Sequence, residues 1–239
     1  MALVEMLAPC VHSSSGMTPC VRAAIVTAVL LALAAGGAAP AGSATPDDRV
    51  LSVDQHTTDK ARRLAATHER ALRDLSATVY HCLPWLEVHK TSIGFYRPKG
   101  ASQDDRYLSM RVYIEQDASP QFARLARDAR AAAMFSRYVG PLLRRMAADR
   151  NLVADASLDG FSVILDWVKP TPRPAGGSPV HETIAVFIPK STAVDYLGGR
   201  VEVGQLADLA RVLSWDGETA LGQIKLTAWD DNFVATHKV

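Results

Sequence analysis

A chain of 239 residues that is 48% hydrophobic and 21% charged has the composition of an ordinary globular protein, which excludes a disordered or fibrous one. Its formal net charge of +1 argues against a general nucleic-acid binder, which carries a strong basic excess. Three cysteines, Cys10, Cys20 and Cys82, are too few for a disulfide framework, and only Cys82 lies beyond the first apolar run.

That run opens the chain. Arg22 precedes the apolar stretch Ala23–Ala35, and small residues with Pro40 lead to Gly42-Ser43-Ala44. These are the basic, apolar and cleavage regions of a secretory signal peptide. The stretch is shorter than the ~20 residues that a bilayer-spanning helix needs, so a retained anchor is the lesser reading. Cleavage is expected after Ala44, with Ala41 as the alternative, and Met17 is an alternative start to Met1. Cys10 and Cys20 precede the apolar run, whereas a lipid-modified cysteine follows it. The expectation is therefore an exported protein, periplasmic or extracellular: a signal over 1–44 and one soluble domain over 45–239.

A long amphipathic helix is predicted from Thr58 to Leu83. Leu64, His68, Ala71, Leu72, Leu75, Val79 and Cys82 share one stripe, and Pro84 disrupts it. Thr91–Arg97 reads as a short strand before the Pro98-Lys99-Gly100 turn. Arg106–Gln116 is the clearest strand. Leu108, Met110, Val112 and Ile114 form a core face, against Tyr107, Ser109, Arg111, Tyr113 and Glu115 on a wetter one. Ser119-Pro120 is a helix start. That helix runs to about Tyr138, is broken or kinked at Gly140-Pro141, and continues to Asp149. Gly160–Lys169, apolar on both faces except at Asp166, reads as a central strand. A loop with four prolines spans 170–179, and Val180–Ile188 is the next strand. Ser191–Leu197 and Gly204–Leu213 read as short helices, and Gly222–Trp229 as the last strand. Strands joined by loops too short for helical crossovers point to the α+β class: an antiparallel or mixed sheet of about five strands, with long amphipathic helices on one face.

The chemistry-bearing motifs are absent. There is no Gly-x-Ser-x-Gly elbow, no phosphate-binding glycine loop and no Cys-x-x-Cys. His181-Glu182 lacks the second histidine of a zinc-protease helix, and on a strand the two side chains point to opposite faces. His81, Cys82 and His89 are metal-ligand types, but adjacent helical residues diverge by about 100° and do not converge on one ion. No metal and no cofactor are expected.

Two residues are candidates for acid–base chemistry. His68 sits within an apolar stripe, where the ordinary outcome is a core histidine bonded to a backbone carbonyl; the sharper one is a proton-handling group in a pocket. Asp166, a carboxylate in a central strand, is costly unless paired: the ordinary reading is a salt bridge to a helix arginine or exposure near a sheet edge, and the sharper one is a perturbed acid in a pocket. The two become an acid–base pair only if the first helix packs over that strand.

Two surfaces are candidates for binding. Arg127, Arg130, Arg137, Arg144 and Arg145 share one side of a continuous helix, opposite Leu125, Phe135, Val139, Leu142, Leu143 and Met146. From Gln121 to Arg150 there are seven arginines against two aspartates. Such a face attracts anionic lipid or an acidic partner, unless its arginine stems only cover apolar surface. The second surface is Tyr107, Arg111 and Tyr113 on the strand's wetter face, residue types enriched where proteins bind. The reading that follows is a non-enzymatic exported module that binds a small ligand or an envelope protein, with no nucleic acid and at most peripheral membrane contact. Its alternatives are a secreted hydrolase using an Asp/His pair and an envelope-associated protein using the basic helix face.

Overall fold

The computed structural model describes residues 46–231 apart from 83–85, 116–119, 171–178 and 218–220; of 46–47, 80–82 and 120 it describes the backbone alone. The chain divides into Met1–Ser43 and Ala44–Val239, and the described residues all belong to the second unit. The expected signal segment, the side chains of His81 and Cys82, and most of the proline loop lie outside the described residues.

Among the described residues seven strands form one mixed sheet: β1 (Leu86–Val88), β2 (Gly94–Tyr96), β3 (Tyr107–Ile114), β4 (Gly160–Val168), β5 (His181–Pro189), β6 (Arg211–Trp215) and β7 (Gly222–Ile224). The order is β1-β3-β4-β5-β6-β7, with β2 beside β1 on the same edge of β3. Only β3 and β4 pair in parallel. That parallel step is possible because a helical crossover joins them. It consists of α3 (Pro120–Arg124), α4 (Arg127–Met134), a π-helical turn (Phe135–Val139), α5 (Gly140–Met146) and α6 (Arg150–Ala154). The α+β class and the one-sided helical cover are as the sequence implies, with seven strands rather than about five.

The register sorts the side chains. Leu108, Met110 and Val112 pair with Phe161, Val163 and Leu165, which pair with Ile188, Val186 and Ile184. All nine are fully buried under the helices. At ~2 kcal/mol per large apolar side chain, this layer dominates the stability of the fold. The alternate residues, among them Tyr107, Ser109, Arg111, Ser162, Asp166 and Phe187, line the opposite face, which no described helix covers.

Several elements differ from expectation. The first helix is two, α1 (Asp59–Thr67) and α2 (Glu69–Cys82), bent at His68 (φ −109°, ψ 20°). The hydrogen-bond ladder still passes the bend, since His68 N donates to Leu64 O at 2.9 Å. The next helical stripe breaks not at Gly140-Pro141 but at Leu125-Ala126, where Ala126 is extended. The π turn absorbs Pro141, which has no N–H to donate, and the helix runs on. Gly140 also admits α7 (Lys190–Leu197): a Cβ there would lie 2.3 Å from the Tyr196 hydroxyl. The helix expected through Leu213 ends as α8 (Val203–Leu209), and an extended Ala210 starts β6. The last strand stops at Ile224, after which the chain crosses toward the helices and Trp229 N donates to Ser136 Oγ at 3.0 Å.

Candidate functional site

The open sheet face carries one buried carboxylate. Asp166 lies on β4 between Tyr113 of β3 and Thr183 of β5, with its side chain 2% exposed. Arg111 Nε donates to its Oδ2 and Thr183 Oγ1 donates to Oδ1 at 2.6 Å. His89 Nε2 lies 3.1 Å from Oδ2, off the line of a good hydrogen bond. Burial alone would raise the Asp166 pKa. The contacts with His89, Arg111 and Thr183 outweigh it and hold the group at about 2. A carboxylate fixed so low is a charged positioning group near neutrality and a poor proton shuttle.

Asp166 thus has its partner on a neighbouring strand rather than on a helix, and that partner keeps capacity in reserve. Arg111 spends Nε on the carboxylate, and no described residue accepts from its Nη atoms. The side chain is 46% exposed and faces a groove of about 430 Å³. Ser109 and Ser162, opposite each other across β3 and β4, form part of the floor. Both are buried, and no described protein group hydrogen-bonds their hydroxyls. Ile164 and the rings of Tyr107 and Phe187 supply apolar surface. Those rings meet edge-on at 6.4 Å, and Arg211 lies 4.8 Å over Phe187 while donating to Lys99 O. The segment between β1 and β2 and just beyond it forms the rim, with Lys90, Arg97 and Lys99 exposed. The lining holds these cations and His89 but no carboxylate.

The other sequence candidates fall elsewhere. His68 is buried on the covered face, and its Nε2 meets Asp155 Oδ2 at 2.9 Å, a carboxylate rather than the expected backbone carbonyl. Its ring packs 6.4 Å from Phe95. That hydrogen bond is the main reason the Asp155 pKa is lowered. His68 and Asp166 are therefore not a pair; the sheet stands between them. Tyr113 is on the open face with His181, their rings 5.6 Å apart. Glu182 points to the opposite face from His181, as the strand period requires.

The basic stripe does not form. Arg130 is buried, with Nε donating to Glu182 Oε2 at 2.7 Å, Nη2 to Oε1 and Nη1 to Leu125 O. Arg137 meets Asp231 at 3.3 Å, and Arg127 meets Asp128 at 3.1 Å and Asp216 at 3.6 Å. Arg144 is exposed over the Tyr196 ring. Leu125, assigned to the apolar side, is exposed. The break before α4 and the wide π turn rotate successive segments about the helix axis, so one stripe in the sequence becomes several directions in space.

A smaller hollow of about 240 Å³ beside β2 is structural. There His56 Nδ1 donates to Ser52 O at 3.0 Å and Nε2 accepts from Phe95 N at 3.2 Å, which fixes a neutral ring. Burial pushes its pKa down in the same sense. No cluster of three or more His, Cys, Asp or Glu among the described residues is placed to hold a metal. No described helix is long and apolar enough to cross a membrane.

The sequence singled out Tyr107, Arg111 and Asp166 but not the meeting of Arg111 with Asp166 or the groove that Arg111 shares with Tyr107, and it missed Ser162, Phe187, Arg97 and Lys99. Continuing the alternation of β3 onto β4 would have put Ser162 and Asp166 on the face of Arg111, given the register. Nothing in the sequence announces that register. Comparison with family models, with curated proteins and with solved structures returns no match for this chain.

Proposed function

We propose that the chain is exported, to the periplasm or beyond the cell, and acts as a non-enzymatic module that holds a small ligand in the groove on the open sheet face. The observation that carries this reading is the state of the groove's polar groups. Arg111, Ser109 and Ser162 are fixed on a rigid strand pair yet offer hydrogen-bonding capacity that no described protein group uses. These groups open onto the groove rather than being sealed in the core, and unused polar capacity beside apolar walls is what a ligand site supplies. The volume of about 430 Å³ suits a small organic molecule. Asp166 supports binding over acid–base catalysis, because it stays ionised with its bonds committed.

The test is a fluorescence titration with N-phenyl-1-naphthylamine, a neutral apolar dye. Saturable binding is expected, and Ser162→Phe, which fills the floor, should abolish it while keeping a cooperative unfolding transition. Dye binding unchanged by Ser162→Phe, or none in the native protein, would remove the groove from the account. Export has its own measurement: mass spectrometry of the protein from its host should find a mature N-terminus near Thr45. An intact N-terminus in a membrane fraction would defeat it.

A further inference from the structure

We infer that the ligand of this groove is an organic oxyanion, with its charged head on Arg111 and the hydroxyls of Ser109 and Ser162 and its apolar body against Ile164, Tyr107 and Phe187. The inference rests on the groove being a ligand site and adds the chemistry of what it takes.

Three features lead to the head. Arg111 is held by its Nε on Asp166, which leaves the Nη edge of a planar, permanently charged fork free to meet two oxygens at once. Its flexibility is already spent on the carboxylate, so little further entropy is lost when an oxyanion docks. Ser109 lies two residues before Arg111 on the same face of β3, and Ser162 is its direct partner on β4. Along a strand, alternate residues are about 7 Å apart, and neighbouring strands lie about 4.8 Å apart. A carboxylate, sulfonate or phosphate head between them can therefore take the guanidinium edge and a hydroxyl together.

The body follows from size and lining. A bare inorganic anion would leave most of about 430 Å³ empty. The walls beside the floor are aromatic and aliphatic, which suits a ring or short apolar chain. The rim adds charge without a compensating acid: Arg97 and Lys99 are exposed, and no described carboxylate pairs with either. Exposed cations at the mouth speed the arrival of an anion and are screened by salt, whereas the half-buried Arg111 contributes to the bound state.

The experiment compares 8-anilino-1-naphthalenesulfonate with N-phenyl-1-naphthylamine, which share a skeleton and differ by the sulfonate, in full-length mature protein. The sulfonate should bind at least tenfold more tightly. Ser162→Ala should weaken the sulfonate several-fold and leave the neutral dye unchanged. Arg111→Gln should bring the two dyes within about twofold of each other. Because Arg111→Gln also strips Asp166 of its cation, Arg97→Gln/Lys99→Gln serves as a second variant that touches no buried partner; it should slow sulfonate association and flatten its salt dependence. Equal affinity for the two dyes in native protein would overturn the oxyanion assignment and leave the groove standing. Preference for the sulfonate that survives both Arg111→Gln and Ser162→Ala would overturn it too, by placing the head elsewhere. Failure of both dyes to bind would remove the groove and the assignment together.

Discussion

Two arginine–carboxylate pairs sit on opposite faces of one sheet, at adjoining rungs of β4 and β5. Asp166 is level with Thr183, and the next rung pairs Trp167 with Glu182. On the covered face, Arg130 and Glu182 are closed. The guanidinium uses Nε and both Nη atoms, and the carboxylate also accepts from Trp167 Nε1 at 2.8 Å. On the open face, Arg111 and Asp166 are half closed: the carboxylate is fully engaged, but the arginine keeps its outer edge free. Chemically the two pairs are alike. A closed pair has nothing left to offer and serves as a clasp between α4 and β5. A half-closed pair holds a charge in place for something else.

The largest expected effect breaks the closed pair. Glu182→Ala leaves a buried guanidinium without its counter-charge and a buried indole N–H without its acceptor, and removal of one member of such a pair costs about 3–5 kcal/mol. Urea unfolding should show it, and adding Arg130→Met should recover part of the loss, because the stranded charge goes with it. A loss below about 1 kcal/mol would mean that the clasp is not what holds α4 on the sheet.

Asp166→Asn comes next and tests the half-closed pair. The Asp166 pKa is lowered from 3.8 to about 2 by folding. A lowered carboxylate pKa stabilises the fold above its unfolded value, and that contribution is lost as the pH falls through 4 toward 2. The substitution should therefore cost about 2 kcal/mol at pH 7. The difference from the native protein should shrink steadily as the pH falls from 4 to 2, with most of it gone at pH 2. A pH-independent difference would show that shape, not charge, makes Asp166 matter. The same variant frees Arg111, so sulfonate-dye affinity should fall with it.

The closed pair and the open one differed in how far the sequence could reveal them. Asp166 stood out because a carboxylate interrupts an otherwise apolar strand, and Arg111 because it alternates with apolar residues on β3. Their meeting depends on a parallel register set across a crossover of four helices, which no local pattern encodes. Arg130 was misread for the opposite reason. Its helical spacing from Arg137 and Arg144 is real in the sequence, but a non-helical break and a π turn, both invisible to a 3.6-residue period, turn it inward. The strand β6 is hidden in the same way: Val212 and Ser214 alternate with Arg211 and Leu213, but the helix expected over Gly204–Leu213 overlaps them. Where one period governs a whole element, as in β3 or β5, sequence and structure agree within a residue or two.

The smallest effect supplies the reference point. Arg144 belonged to the same stripe as Arg130, yet it is exposed, 5.4 Å over the Tyr196 ring and 3.4 Å from its hydroxyl. Surface contacts of this kind are worth about 0.5–1 kcal/mol at most. Arg144→Gln should shift stability by about 0.5 kcal/mol and leave the sulfonate dye's affinity unchanged. Sedimentation with vesicles of anionic and of neutral lipid extends the contrast to surfaces. If the helix arginines were the anion site, binding to anionic vesicles would appear at low salt and fall in Arg144→Gln as the Debye length shortens from about 10 Å at 0.1 M to about 3 Å at 1 M. The expectation is no vesicle binding by either protein. Arg130 is buried with every guanidinium nitrogen donating inside the fold, and Arg127 and Arg137 are engaged by Asp216 and Asp231, so these three do not form an exposed basic face with Arg144. Salt-sensitive vesicle binding that is lost in Arg144→Gln would move the anion-binding surface from the open sheet face to the helices. It would also break the contrast between the two pairs, because an arginine outside both would then carry the chemistry.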